Sequence, residues 1–241
     1  LSDAQHHAAR ARASLVAAFA LHFAGRADLA QPWQALSRRH AIALGDDSHL
    51  SALMHNQAAL SVNLARLAHL FGDERSERAL AQDIDQALVL IDSVNRFDDG
   101  IGNPALRSLV PTLQAQMLTA QGRWADALAV FDAHLERALH EGMGYQAPCL
   151  HADAAWCAWN LQRHERCETA TAAAQAGLQD DCDADDRAMA LARLAQLHAA
   201  RGDAGQAEQC RQAAQLALDE HRAHQKALLT ALDAALMGLA A

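Results

Sequence analysis

Three places in this sequence, spaced forty residues apart, carry the same short grammar, and a chain that repeats at that period has few ways to fold. Around Gly122 the residues run Leu118-Thr-Ala-Gln-Gly122-Arg-Trp124-Ala-Asp-Ala127-Leu128, with Phe131 following. Around Gly202 they run Leu197-His-Ala-Ala-Arg-Gly202-Asp-Ala-Gly-Gln-Ala207. Gln162 stands midway, and Cys167 takes the place of the small residue five positions on. An amphipathic segment that enters a glycine, with a second leaving it, describes a helical hairpin, because glycine takes the left-handed conformation at a helix end at little cost. Paired helices at a period of about forty residues point to a solenoid, in which each hairpin buries its apolar face by stacking on its neighbours. Gly25 and Gly72 extend the series upstream at the longer spacings of 47 and 50 residues.

Composition agrees with helices. Alanine supplies much of the 51% hydrophobic content and aromatics only 4%. Ala, Leu, Arg, Gln and Glu favour helix, while the β-branched and aromatic residues that favour strands are scarce. The apolar spacing and breakers predict an all-α fold of about eleven helices, taken as a single domain over 1–241. The repeats are divergent over 1–103 and clearer over 104–220, and 221–241 forms a capping or linker helix. Asp28, Asp47 or Ser48, and the stretch to Ser76 are placed to start helices. Phe97-Asp-Asp-Gly-Ile-Gly-Asn-Pro104 reads as the clearest loop, and His221 to Leu239 as a separate last helix.

The formal charge is −9, with nineteen Arg and a single Lys at 226. An acidic chain without a basic run argues against nucleic acid or an anionic membrane as the main partner. No apolar run reaches the length of a membrane span. Five Cys at irregular spacing read as reduced thiols of a cytoplasmic protein. A chain that starts at Leu1 reads as a segment of a longer protein.

Trp124-Ala-Asp-Ala127-Leu128-x2-Phe131 and Gly202-Asp-Ala-Gly-Gln-Ala207-x6-Ala214 resemble tetratricopeptide repeats (TPR). The first has the glycine, alanine and phenylalanine of that family's pattern, and the second has the glycine and both alanines. The early aromatic of each first helix is missing or shifted, and the period exceeds thirty-four residues, so the array is a divergent one. The resemblance implies a right-handed superhelix of antiparallel helix pairs that binds a protein or peptide. It is similar to sensing or regulatory segments of bacterial signalling proteins, such as diguanylate cyclases or transcription regulators.

In such an array the first helix of each hairpin lines the binding groove. That geometry places Asn63 and Arg66, Thr112 and Gln116, Asp153, Trp156 and Asn160, and Arg193 and Gln196 along one wall. Amides and arginines suit a peptide backbone or carboxylate, and Trp156 is the residue type that anchors a partner. The plainer alternative makes these solvated positions and Trp156 core. The family's carboxylate-binding constellation has no match here.

Chemistry beyond binding finds no motif. His6-His7, His221-x2-His224 and Cys149-x-His151-x5-Cys157 do not complete a four-ligand zinc set. Asp181-Cys-Asp183-Ala-Asp185 opens like a calcium loop, yet Asp186 replaces its glycine and Ala192 its bidentate glutamate. These carboxylates read as favouring the start of a helix. No phosphate loop, dinucleotide fingerprint or nucleophile elbow is present, so neither metal, cofactor nor enzymatic activity is expected. Two alternatives stand beside the groove: a small ligand in it, or a homodimer through the last helix. The leucines of that helix at 228, 229, 232, 236 and 239 have no later repeat to cover them.

Overall fold

The alternation of apolar runs with single glycines produces helices and nothing else among the described residues. The computed structural model describes residues 6–72, 76–178 and 182–240, with side chains to residue 235. The helices are α1 (His7–Phe23), α2 (Ala27–Leu44), α3 (Asp47–Phe71), α4 (Glu77–Ile101) and α5 (Leu109–Ala120). They continue as α6 (Trp124–Ala138), α7 (Ala147–Asn160), α8 (His164–Ala176), α9 (Ala184–Ala200) and α10 (Ala204–Ala240). A π turn at Leu139–Met143 and a 3-10 turn at Gly144–Gln146 link α6 to α7.

Two expectations are corrected. The loop predicted from Phe97 starts later, because α4 runs on to Ile101 with Asp98 buried beneath it. Gly102 then takes φ 68, and the amide of Asn103 donates back to the Asp98 carbonyl at 2.9 Å. Among the described residues the helices also fall short of eleven, because the last two are one continuous helix, α10. Asp219 to Lys226 is polar but holds neither Gly nor Pro, so a change in polarity there is no helix break.

The hairpin turns share one geometry. Gly25, Gly122, Gln162 and Gly202 have φ of 73, 73, 58 and 82, all in the left-handed region. Behind them the amides of Arg26, Arg123, Arg163 and Asp203 donate to the carbonyls of Leu21, Leu118, Ala158 and His198 at 2.8–2.9 Å. This is the bond pattern that satisfies the last carbonyls of a helix while reversing the chain. Ala30, Ala127, Cys167 and Ala207, each five residues past the turn, are fully buried.

Backbone proximity divides the chain into two compact units. One holds the chain up to Asn56 and from Glu220 onward, and the other holds Gln57–Asp219. In the first, α1 packs on α2, with Ala18, Leu21 and Ala30 at the centre and Leu232 of α10 laid against them. Ser37 donates to the Ala11 carbonyl at 2.9 Å, and His7 and His40 meet ring to ring with 2.8 Å between their Nδ1 atoms.

In the second unit α5 lies on α6 and α7 on α8, while α7 also touches α5, α6 and α9. Their shared core holds Leu118, Leu128, Phe131, Leu150, Cys157, Met189, Leu194 and Leu197. The last turns of α3 join it through Leu67, Leu70 and Phe71. Leu67 and Phe71 also pack on Ala188 of α9 and Ala217 and Leu218 of α10.

Candidate functional site

Forty residues separate Asp153 on α7 from Arg193 on α9, so they hold the same place in successive hairpins. They meet: Arg193 Nε donates to Asp153 Oδ1 at 2.8 Å. The other oxygen of this carboxylate accepts from Arg66 Nη2 of α3 at 2.7 Å. Arg66 also donates to the Cys149 thiol at 2.9 Å. The three side chains are 3%, 0% and 3% exposed for Arg66, Asp153 and Arg193.

Around this centre the partners are polar and specific. Arg193 Nη1 donates to Gln196 Oε1 at 2.7 Å, and its guanidinium carbon lies 5.8 Å from the centre of the Trp156 ring. Asn63, one turn before Arg66, donates to Asp185 Oδ2 at 2.9 Å. Asn160 donates to the Trp156 carbonyl at 2.8 Å. Asn63, Arg66, Asp153, Trp156, Arg193 and Gln196 are thus brought to one junction of α3, α7 and α9, with Asn160 beside it.

Thr112 and Gln116 stay apart from that junction. Both are buried on α5; the Thr112 hydroxyl donates to the Leu109 carbonyl at 2.6 Å, and Gln116 Nε2 has no protein partner. Arg66, Thr112, Gln116, Asp153 and Arg193 lie inside the unit, so half-buried Asn63, Trp156, Asn160 and Gln196 are the candidate positions that retain surface.

Sequence reasoning does not single out His69, and it considers Cys149 and Asp186 only for metal motifs that they do not complete. Each lies on the face of a residue that it found: Cys149 four before Asp153, Asp186 seven before Arg193, His69 three after Arg66. That helical spacing is the signal that would have found them. In sequence, Asp183, Asp185 and Asp186 read as favouring a helix start or as an incomplete calcium loop. Asp183 is the cap position of α9 without a side-chain bond, and Asp186 is buried. Asp181 lies outside the described residues.

Electrostatics explains why the junction is tight. Burial opposes the Arg66 charge, but Asp153 and Cys149 outweigh it and hold the guanidinium above its ordinary value. Burial raises the Cys149 thiol well above its usual range, so it is protonated and no nucleophile. Burial and then Asp185 push Asp186 up to about 7. Burial, followed by Arg193, lowers His69.

The satisfaction is incomplete. Arg66 Nε and Asp186 Oδ1 are buried without a protein partner. Each such group costs about 1–3 kcal/mol. A buried ion cluster also repays its desolvation only with good geometry, which Asp153 supplies by spending one oxygen on each arginine. What this arrangement does is clamp one helix against two others.

Two clefts open beside the junction. One, of about 510 Å³, runs between Leu70 and Phe71 of α3, the alanines 192, 195 and 199 of α9, and Arg211, Gln212 and Gln215 of α10, with Gln196 at its wall. The other, of about 650 Å³, has Leu80, Ile84 and Ala120 as its floor and His69, Asp85, Gln121 and Arg123 at its rim. Among the described residues no group of three or more His, Cys, Asp or Glu is placed to hold a metal ion, and no helix is long and apolar enough to cross a membrane. Comparison with known proteins leaves these observations standing alone: no family model, no curated protein and no solved structure matches the chain.

Proposed function

We propose that the chain is a protein- or peptide-binding scaffold of TPR-like architecture, a right-handed superhelix of antiparallel helix pairs that serves as the sensing or regulatory segment of a cytoplasmic bacterial signalling protein. The observation that carries this reading is that register-matched side chains on α7 and α9 converge on one helical segment. Asp153 and Arg193 hold equivalent places, as do Trp156 and Gln196, and all four lie at the junction with α3. The neighbouring α9–α10 cleft continues the same face, with an alanine floor that lets a backbone approach and a Gln/Arg rim that offers hydrogen bonds.

The homodimer alternative through the last helix has fewer uncovered leucines to draw on in the first unit. Leu232 is packed on Ala18, Leu21 and Ala30, and Leu228 and Leu229 are half-buried. Leu236 and Leu239 lie outside the described side chains.

Panning a displayed peptide library on the folded chain tests the scaffold reading. Helix-forming binders are expected, and their binding should fall at least tenfold when Gln212→Trp and Gln215→Trp crowd the cleft from its exposed rim. No enrichment, or binders indifferent to both substitutions, sinks it.

A further inference from the structure

The second half of α3 is held as a bound helix is held. Asn63, Arg66, Leu67, Leu70 and Phe71 follow the i, i+3, i+4, i+7 and i+8 spacing by which an amphipathic helix lies in a groove. Asn63 reaches Asp185 at the start of α9, and Arg66 reaches Asp153 and Cys149 on α7. The three apolar residues pack on the shared core, two of them also on α9 and α10. Polar contacts orient the segment and apolar ones bury it.

The grip is strong in charge and incomplete in detail. Asp153 keeps a second arginine, Arg193, so it does not stand as a bare buried charge when Arg66 leaves. Arg66 Nε and Asp186 Oδ1 remain without protein partners on either side of the contact. A helix presenting an arginine with one more satisfied donor would therefore compete for this seat, and the α9–α10 cleft beside Leu70 and Phe71 gives it a place to enter.

From this we infer that α3 is a built-in competitor, occupying a site whose external ligand is an amphipathic helix of another protein with an Arg-Leu-x2-Leu-Phe stripe. The inference rests on the scaffold reading above and names its partner class. A site that accepts a helix only when its own helix yields binds its partner with an affinity lowered by the internal contact, because binding must offset that contact.

A fluorescent peptide with the sequence of residues 57–72 is the probe, measured by anisotropy against the full chain. It should bind the native chain weakly, and the Arg66→Ala chain at least ten times more tightly. The same peptide carrying Arg66→Ala should lose at least tenfold. If the Arg66→Ala chain does not fold, Asn63→Ala, which removes only the Asp185 contact, should give a smaller gain in the same direction. A chain with Asn63→Cys and Asp185→Cys should lose the peptide when oxidised and regain it when reduced.

Equal binding to all these chains overturns the inference, as does no binding to any that stay helical. A dimer of the Asn63→Ala chain by sedimentation, with no peptide bound, makes the occupant a second copy's α3 and overturns the partner assignment. Library binders that crowd out at the cleft but never compete with the α3 peptide leave the scaffold reading intact and remove this one.

Discussion

Gln162 sits where the other hairpins carry glycine, at φ 58, and has no need of its side chain there beyond a long contact to the Trp159 carbonyl. A side chain in that region costs about 1–2 kcal/mol, part of which glycine returns through its freer unfolded chain. Gln162→Gly should therefore stabilise the protein by about 0.5–1 kcal/mol, read from the urea midpoint. A loss of stability would mean that the turn depends on the glutamine.

Asp186 gives a second test at this scale. Its folded value of about 7 lies above the unfolded carboxylate, so the folded state holds the proton more tightly. Its contribution is complete in acid and lost as pH rises through about 7. Asp186→Asn keeps the neutral form at every pH, so the variant should gain on the native chain between pH 5 and pH 8. A difference that stays constant over that range would contradict the assignment.

Ala127 shows how an element depends on one small residue. It is fully buried just past the Gly122 turn, where α5 and α6 cross closely. Ala127→Leu should cost about 1–3 kcal/mol by overpacking, and an unchanged thermal midpoint would count against this crossing. The hairpins were legible because their signals are local: a left-handed residue, then a small one five places on. The end of α4 and the fusion of α10 were not: Gly100 does not interrupt α4, which ends only at the left-handed Gly102, and the polarity change within α10 contains no helix breaker. At the site, the groove geometry implied by the repeat resemblance picked out Asp153, Arg193 and Gln196. The burial of Asp153 was not legible, since the side chain that closes over it comes from Arg66, 87 residues earlier.

For the whole molecule, that separation has a kinetic meaning. The hairpin turns close loops of a few residues, whereas Arg66–Asp153 and Arg193–Asp153 span 87 and 40. Loop-closure entropy has to be met before such contacts return anything, so they form late on the way to the native state. Asp153→Ala should destabilise by about 3–5 kcal/mol, as breaking a buried charge cluster does. Stopped-flow kinetics should find nearly all of it as faster unfolding, with refolding hardly slowed. Ala127→Leu, by contrast, should slow refolding. The aspartate that joins three helices thus governs how long the native state lasts once formed, and has little say in how fast it is reached.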